Sequence, residues 1–213
     1  MAKLYFRYGA MNSGKSSALL QAAFNYEERG HRVLLAKPAI DTKGDRSVSS
    51  RLGLTREVDL LVRPADELRA MVLEAQTDGP DPDAGARAAP RPVSCVLVDE
   101  AQFLSPRQID DLFRVAVIDG IPVMAYGIRT DFQTVAFPGS QRLLEIAHSL
   151  EELKTICRCG RKAVFNARLL DGRFVFDGAQ VAIDHVGEVT YESMCGACYL
   201  EASGGRLASD LRA

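Results

Sequence analysis

An α/β fold, with a parallel sheet covered by helices and a small β module at the C-terminus, is predicted by three observations. Residues 9–16 read Gly-Ala-Met-Asn-Ser-Gly-Lys-Ser and lie between an apolar run and a helical pattern. Short, nearly continuous apolar runs then alternate with helical stretches, as in βαβ units. The last quarter turns to β-rich segments that carry four cysteines in two close pairs. At 213 residues and 47% apolar content, the chain supports one substantial core plus a small appendage.

The first observation carries chemistry. Gly9, Ala10, Met11, Asn12, Ser13, Gly14, Lys15 and Ser16 match the phosphate-binding pattern G-x-x-x-x-G-K-[ST]. A di- or triphosphate needs many hydrogen-bond donors at close range. Backbone N–H groups supply them if the loop curls round the anion, and glycines permit the curl. The helix start that follows adds free N–H groups and a positive dipole end. Lys15 is placed to reach the β- and γ-phosphates, and the Ser16 hydroxyl to ligate Mg²⁺.

The elements follow in order. Apolar Ala18, Leu19, Ala22, Ala23 and Tyr26 predict a helix over 16–29, with Gly30 past its end. His31 to Ala36 reads as a buried strand, which completes a βαβ unit. Lys37 to Leu54 is polar and reads as a loop; Asp41 fits either a ligand position at the strand end or a solvated turn. Val58 to Val62 reads as a strand and Pro64 to Gln76 as a helix. Residues 77–92 are a low-complexity Pro/Asp/Ala stretch without a packable face, read as a disordered insertion.

Val93 to Val98 is an apolar run that ends in Asp99-Glu100. In phosphoryl-transfer proteins an aspartate at such a strand end holds Mg²⁺ together with the loop Ser, and a second acid beside it suits a general base. Cys95, inside the strand, reads as an inert buried thiol. Ser105-Pro106 opens a helix to Ile118, Pro122 to Gly127 is a further strand, and Gln141 to Ser149 is helical. The loop over 128–140 carries Phe132 and Phe137, which fit either a base-binding pocket or core plugs. Cys157-Arg-Cys159 and Cys195-Gly-Ala-Cys198 flank alternating β segments. This predicts a Cys₄ zinc ribbon, or failing that paired or reduced core cysteines. Four protein ligands fill the zinc shell, so such a zinc is structural. From Leu200 the chain reads as a frayed tail.

Composition narrows the function classes. A net charge of −2 gives no polyanion footprint, which disfavours nucleic-acid binding. No apolar run is long enough to span a bilayer, and Lys3 and Arg7 interrupt the N-terminal apolar stretch, so no signal peptide is expected. Close cysteine pairs suit a metal site in a reducing compartment, so the expected location is the cytoplasm.

The conjunction of motifs resembles the thymidine kinases of the bacterial and animal-cytosolic type over roughly residues 1–200. It runs from Gly9–Ser16 through Val98-Asp-Glu-Ala-Gln-Phe103 and Tyr126-Gly-Ile-Arg-Thr-Asp-Phe132-Gln to Val189-Thr-Tyr191-Glu-Ser-Met-Cys195. The resemblance implies a RecA-like P-loop NTPase sheet over 1–150, a zinc-binding lasso domain over 151–200, a flexible tail, and ATP-dependent phosphorylation of the thymidine 5′-hydroxyl. Glu100 is then the catalytic base, and Ser16 with Asp99 positions Mg²⁺. Ala101 and Gln102 belong with Gly9–Ser16, Asp99 and Glu100 in the ATP set. Met11, Phe103, Ile128, Phe132, Phe137, Asn166 and Tyr191 surround the nucleoside, and Cys157, Cys159, Cys195 and Cys198 hold Zn²⁺. The segment from about Phe165 to Tyr191 is the lasso over the thymine. A strand edge suits that base, because one N–H donor lies between two carbonyls. The resemblance also implies a homotetramer and inhibition by thymidine triphosphate.

Three features depart from the family pattern. Asp41-Thr-Lys43, with Asp45-Arg46 beyond it, stands where members often carry Asp-x-Arg. The stretch Ile183 to Tyr191, which includes His185, is longer than the usual turn, and the insertion at 78–92 is not a family feature. Two readings from other classes compete with this one. A nucleic-acid-stimulated ATPase needs a basic face, and the zinc module has few positives beyond Arg158, Arg161, Lys162 and Arg168. A non-catalytic zinc-ribbon module is opposed by the intact Gly14-Lys15-Ser16 and Asp99-Glu100.

Overall fold

A computed structural model describes residues 1–39, 46–77, 91–180 and 188–210. The main unit runs β1 (Leu4–Tyr8), α1 (Lys15–Glu27), β2 (Arg32–Pro38), β3 (Ser47–Ser49), β4 (Thr55–Glu57), β5 (Leu60–Val62), α2 (Leu68–Thr77), β6 (Val93–Val98), a 3-10 turn (Ala101–Phe103), α3 (Pro106–Val117), β7 (Val123–Gly127), α4 (Pro138–Ile146) and β8 (Ser149–Glu152). Six strands form one parallel sheet in the order β5-β2-β6-β7-β1-β8. β7 separates β1 from β6, so the phosphate loop after β1 and the acid pair after β6 stand two strand spacings apart, about 10 Å. Both lie at the carboxyl ends of their strands, where open α/β sheets take ligands.

Alternation along the strands assigns the two faces. Leu34, Ala36, Val96, Val98, Val123 and Ala125 pack under α2, α3 and α4 through Leu68, Val72, Ile109, Leu112, Val115 and Leu143. Val33, Leu35, Cys95, Leu97 and Tyr126 pack under α1 through Leu19, Leu20 and Ala23, together with Val48 and Val58. Continuous apolar strands follow from burial on both faces. α3 has the sharpest start: Ser105 Oγ accepts from the Gln108 N–H, Gln108 Oε1 accepts from the Ser105 N–H, and Pro106 fills the first turn.

The C-terminal unit contains β9 (Thr155–Ile156), β10 (Lys162–Ala163), β11 (Phe165–Leu170), β12 (Arg173–Val175), β13 (Val189–Met194), α5 (Gly196–Ser203) and a 3-10 turn (Ala208–Asp210). β12-β11-β13 is an antiparallel sheet, and β9-β10 is a separate hairpin. It has its own small core of Cys157, Ala163, Ala167, Phe176, Met194, Cys195 and Tyr199.

Several sequence expectations are corrected. The polar loop after β2 contains the β3-β4 hairpin, held by Lys37 Nζ to the Ser47 carbonyl and by Val48 packed in the core. β5 starts at Leu60 rather than at Val58, and α2 at Leu68 rather than Pro64. There Asp66 Oδ2 accepts the Arg63 N–H, and Gln108 takes up the Arg63 carbonyl, so the chain stays in a turn. α4 begins at Pro138, and Ser149 opens an edge strand, β8, pinned by the Arg7–Glu151 ion pair of 2.7 Å. In the stretch from Leu200, read as a frayed tail, α5 continues to Ser203, a 3-10 turn spans Ala208–Asp210, and the Ala208 N–H reaches Thr134 Oγ1 at 3.2 Å. Asp41, Lys43, Asp45, most of the 78–92 insertion, and the lasso positions Asp184 to Gly187 with His185 lie outside the described residues.

Candidate active site

Residues 9–14 form a loop between β1 and α1. A Cβ on Gly9 would sit 2.5 Å from the Leu153 carbonyl, so no larger residue fits this first position. Asn12 and Gly14 adopt left-handed backbone, with φ of 65° and 77°, which turns the chain back toward the α1 N-terminus. The N–H groups of Asn12, Gly14, Lys15 and Ser16 have no partner among the described residues. They leave a row of donors at the positive end of α1, suited to a polyphosphate. Lys15 Nζ donates to the Ala10 carbonyl at 2.9 Å; burial lowers its pKa, against the opposing pull of Glu100 and Asp99.

Ser16 Oγ donates to Asp99 Oδ2 at 3.3 Å, so the two residues read as Mg²⁺ positions are neighbours. Burial first, and then the Glu100 carboxylate, push Asp99 up to about 6. Glu100 holds a left-handed backbone, φ 51°, and its carboxylate accepts from Gln102 Nε2. Gln102 in turn accepts the Ile128 N–H through Oε1 at 3.2 Å. Ala101 and Gln102, expected with the ATP set, are buried and do not line the phosphate cavity; Gln102 acts there through Glu100 and Ile128. That cavity, about 480 Å³, is lined by the phosphate loop, Ser16, Ser17, Glu100, Ile128 and the tip of the β3-β4 hairpin from Ser49 to Leu52. The hairpin tip was not anticipated, because its residues are polar and read as loop.

The raised Asp99 gives a pH prediction. A carboxyl that ionises less readily in the fold than in the open chain makes the folded state bind more protons between about pH 4 and 6. Stability therefore falls as pH rises through that window and stays lower above it. Asp99→Asn removes the effect, so nucleotide-free variant protein should resist denaturant better at pH 7.5 by roughly 2 kcal/mol and match the parent near pH 4. A difference that does not vary with pH between those points would contradict a titrating Asp99.

A second cavity, about 190 Å³, is lined by Met11, Phe103, Ile128, Asp131, Phe132, Phe137, Asn166, Gln180 and Tyr191. All seven residues expected around a nucleoside are brought together here, from five separate parts of the chain. Phe103 and Phe137 meet edge to face at 5.3 Å. That contact depends on Gly139, where a Cβ would lie 2.6 Å from the Ala101 and Leu104 carbonyls, so α4 starts flush against the 3-10 turn. The guanidinium of buried Arg168 stacks on Phe132 at 3.7 Å, donates to Tyr191 Oη, and holds the Ala179 and Gln180 carbonyls. Asp131 was missed by sequence reasoning: it accepts from the Gln133 and Val135 N–H groups and from Gln180 Nε2. Gln180 reaches it from 49 residues away in sequence. Met11 and Ile128 line both cavities, so the aromatic site and the phosphate site meet at these two residues.

In the C-terminal unit the sulfurs of Cys157, Cys159, Cys195 and Cys198 all lie within 4.8 Å of one another. Cys159 Sγ and Cys195 Sγ are 3.6 Å apart, close to the roughly 3.8 Å of neighbouring sulfurs in a tetrahedral zinc site with 2.3 Å bonds. The Cys198 N–H, at 3.5 Å, leads the effects that lower Cys195 to about 6, a thiolate-favouring shift. Hydrogen bonding to Cys159, Cys195 and Cys157 pushes Cys198 up to about 12. The set is therefore positioned to bind a metal ion, and a cation at its centre is what allows all four thiolates at once.

The family model described as thymidine kinase matches residues 2–199. This chain belongs to the thymidine kinase family. Curated relatives agree along nearly the whole length. A thymidine kinase of Ruegeria pomeroyi is 46% identical over 206 residues, covering 96% of each chain. One of Rhizobium meliloti is 48% identical over 92% of this chain and 94% of its own. One of Novosphingobium aromaticivorans is 48% identical over 96% of this chain and 100% of its own. Among this family member's described residues, no helix is long and apolar enough to cross a membrane.

Proposed function

We propose that the chain transfers the γ-phosphoryl group of ATP to the 5′-hydroxyl of thymidine, with deoxyuridine as a second acceptor, in nucleoside salvage for DNA synthesis. The observation that carries this reading is the meeting of the two cavities at Met11 and Ile128. It puts an aromatic, base-sized site directly against a phosphate cavity that the Glu100 carboxylate also lines. In this reading Gly9–Ser16 cradle the phosphates, and Lys15 leaves the Ala10 carbonyl for the β- and γ-oxygens. Ser16 and Asp99 hold Mg²⁺, which neutralises charge on the transferring group. Glu100 accepts the 5′-hydroxyl proton. Phe103, Phe132 and Phe137 enclose the base, with Met11, Ile128, Asn166 and Tyr191 completing the site. Positioning and charge stabilisation do most of the work in phosphoryl transfer, and enclosure limits hydrolysis by water. Cys157, Cys159, Cys195 and Cys198 hold a structural Zn²⁺ that keeps the lasso roots in place. A cytoplasmic homotetramer inhibited by thymidine triphosphate belongs to the same reading, supported by the family alone.

The test is transfer from labelled ATP, with Mg²⁺, to a panel of nucleosides plus a nucleic-acid control. Labelled thymidine monophosphate, with little transfer to cytidine or purine nucleosides, is the expected result. Hydrolysis stimulated by nucleic acid, with no nucleoside product, would refute the reading.

A further inference from the structure

The phosphate loop is gripped from outside by the C-terminal unit. Asn166 on β11 and Ser193 on β13 are register partners across the antiparallel sheet, and both are buried. They converge on one residue of the other unit. Asn166 Oδ1 accepts the Met11 N–H at 2.7 Å, and Ser193 Oγ donates to the Met11 carbonyl. Asn166 Nδ2 donates to the Thr130 carbonyl at 3.0 Å, so both ends of its amide are committed. The cross-strand pair takes up both backbone groups of Met11, as an added strand residue would.

Two bonds on one residue fix the peptide planes on either side of it. The plane before Met11 carries the Ala10 carbonyl that receives Lys15 Nζ. The plane after it carries the Asn12 N–H, one of the free donors of the cradle, ahead of a residue held at φ 65°. A cradle made of backbone donors works only if those planes are preset, because reorienting them on binding costs free energy. Among the described residues, Met11 makes no other backbone hydrogen bond. Its side chain lines both cavities, and Asn166 lines the aromatic one. Ser193 lines neither cavity and lies two residues before Cys195, a member of the sulfur cluster.

We infer that Asn166 and Ser193 are positioning residues for the phosphate cradle, and that through Met11 they couple occupancy of the nucleoside cavity to nucleotide affinity. The zinc-ribbon unit thus acts on the nucleotide as well as on the nucleoside. Such coupling is reciprocal: whatever factor the nucleoside applies to Mg-ADP binding, Mg-ADP applies to the nucleoside. The inference rests on the thymidine reading only for the identity of the second ligand.

Calorimetric titration of the full chain tests it, with Mg-ADP and thymidine each added alone and then in the presence of the other. Ser193→Ala should weaken Mg-ADP by about three- to thirtyfold, the range of one buried hydrogen bond. Thymidine alone should hold its affinity within about twofold, and the coupling factor should fall toward one. Zinc content should be unchanged, and Ser193→Thr, which restores the hydroxyl, should recover the Mg-ADP affinity. Asn166→Ala should weaken Mg-ADP in the same direction, which keeps the test open if Ser193→Ala folds poorly. Wild-type Mg-ADP affinity and coupling in both alanine variants would overturn the inference. So would parallel loss of both ligands and of zinc with no rescue by Thr, which would make the bonds a docking contact only. Phosphate transfer to thymidine by the parent protein is read alongside. Its absence would remove the thymidine reading and leave the Mg-ADP comparison standing, because that comparison needs only the phosphate loop.

Discussion

Glu100→Gln is expected to lower kcat by about 10²–10⁴, the span of a positioned general base, with Mg-ATP and thymidine affinities close to those of the parent. The substitution is nearly isosteric, and a glutamine oxygen can still accept from Gln102 Nε2, so the link through Gln102 to the Ile128 N–H survives. The left-handed backbone at position 100 is equally strained in both proteins. What changes is charge. Asp99 loses a like-charged neighbour that helps raise its pKa, so it ionises more readily in the variant. Rapid-quench turnover beside equilibrium binding separates the two effects. Turnover at the parent rate would remove Glu100 from the base role.

Cys195→Ser should lose bound zinc and, with it, order at the end of β13. The cores of the main sheet are separate from the small core around Cys157, Met194 and Tyr199, so the main unit should remain folded. Tyr191 and Asn166 lose their placement. At about 1 kcal/mol for each contact, thymidine affinity should drop roughly thirtyfold. Metal analysis and thymidine titration give the answer. Parent-like zinc content with parent-like thymidine affinity would rule out the four-cysteine assignment.

The main unit was readable wherever local pattern and burial coincide. Residues 93–98 and 123–127 are apolar because both of their faces are covered, and the phosphate loop declares itself through glycines that its turns require. The β3-β4 hairpin and β8 escaped because their strands are short and polar: Ser47–Ser49, Thr55–Glu57 and Ser149–Glu152 carry no alternating apolar signal. Within the site, Phe132 and Phe137 read from the loop as either pocket residues or core plugs, and Phe103 entered only through the family resemblance; all three line the aromatic cavity. Asp131, Gln180 and Ser193 were not found, since each matters through a partner far away in sequence: Gln180 for Asp131, and Met11 for Ser193. No window of sequence contains such a pair.

Cys95 sits in the middle of β6, fully buried between sheet and helix, with burial pushing its thiol up to about 12. To a thiol reagent it is silent while the main sheet stands. The remaining four cysteines are the sulfur cluster. Thiol counting on this protein therefore has three expected plateaus: protected when the metal is held, up to four reactive groups once it is stripped, and a fifth only on global unfolding. A single colorimetric titration thus separates demetallation from denaturation.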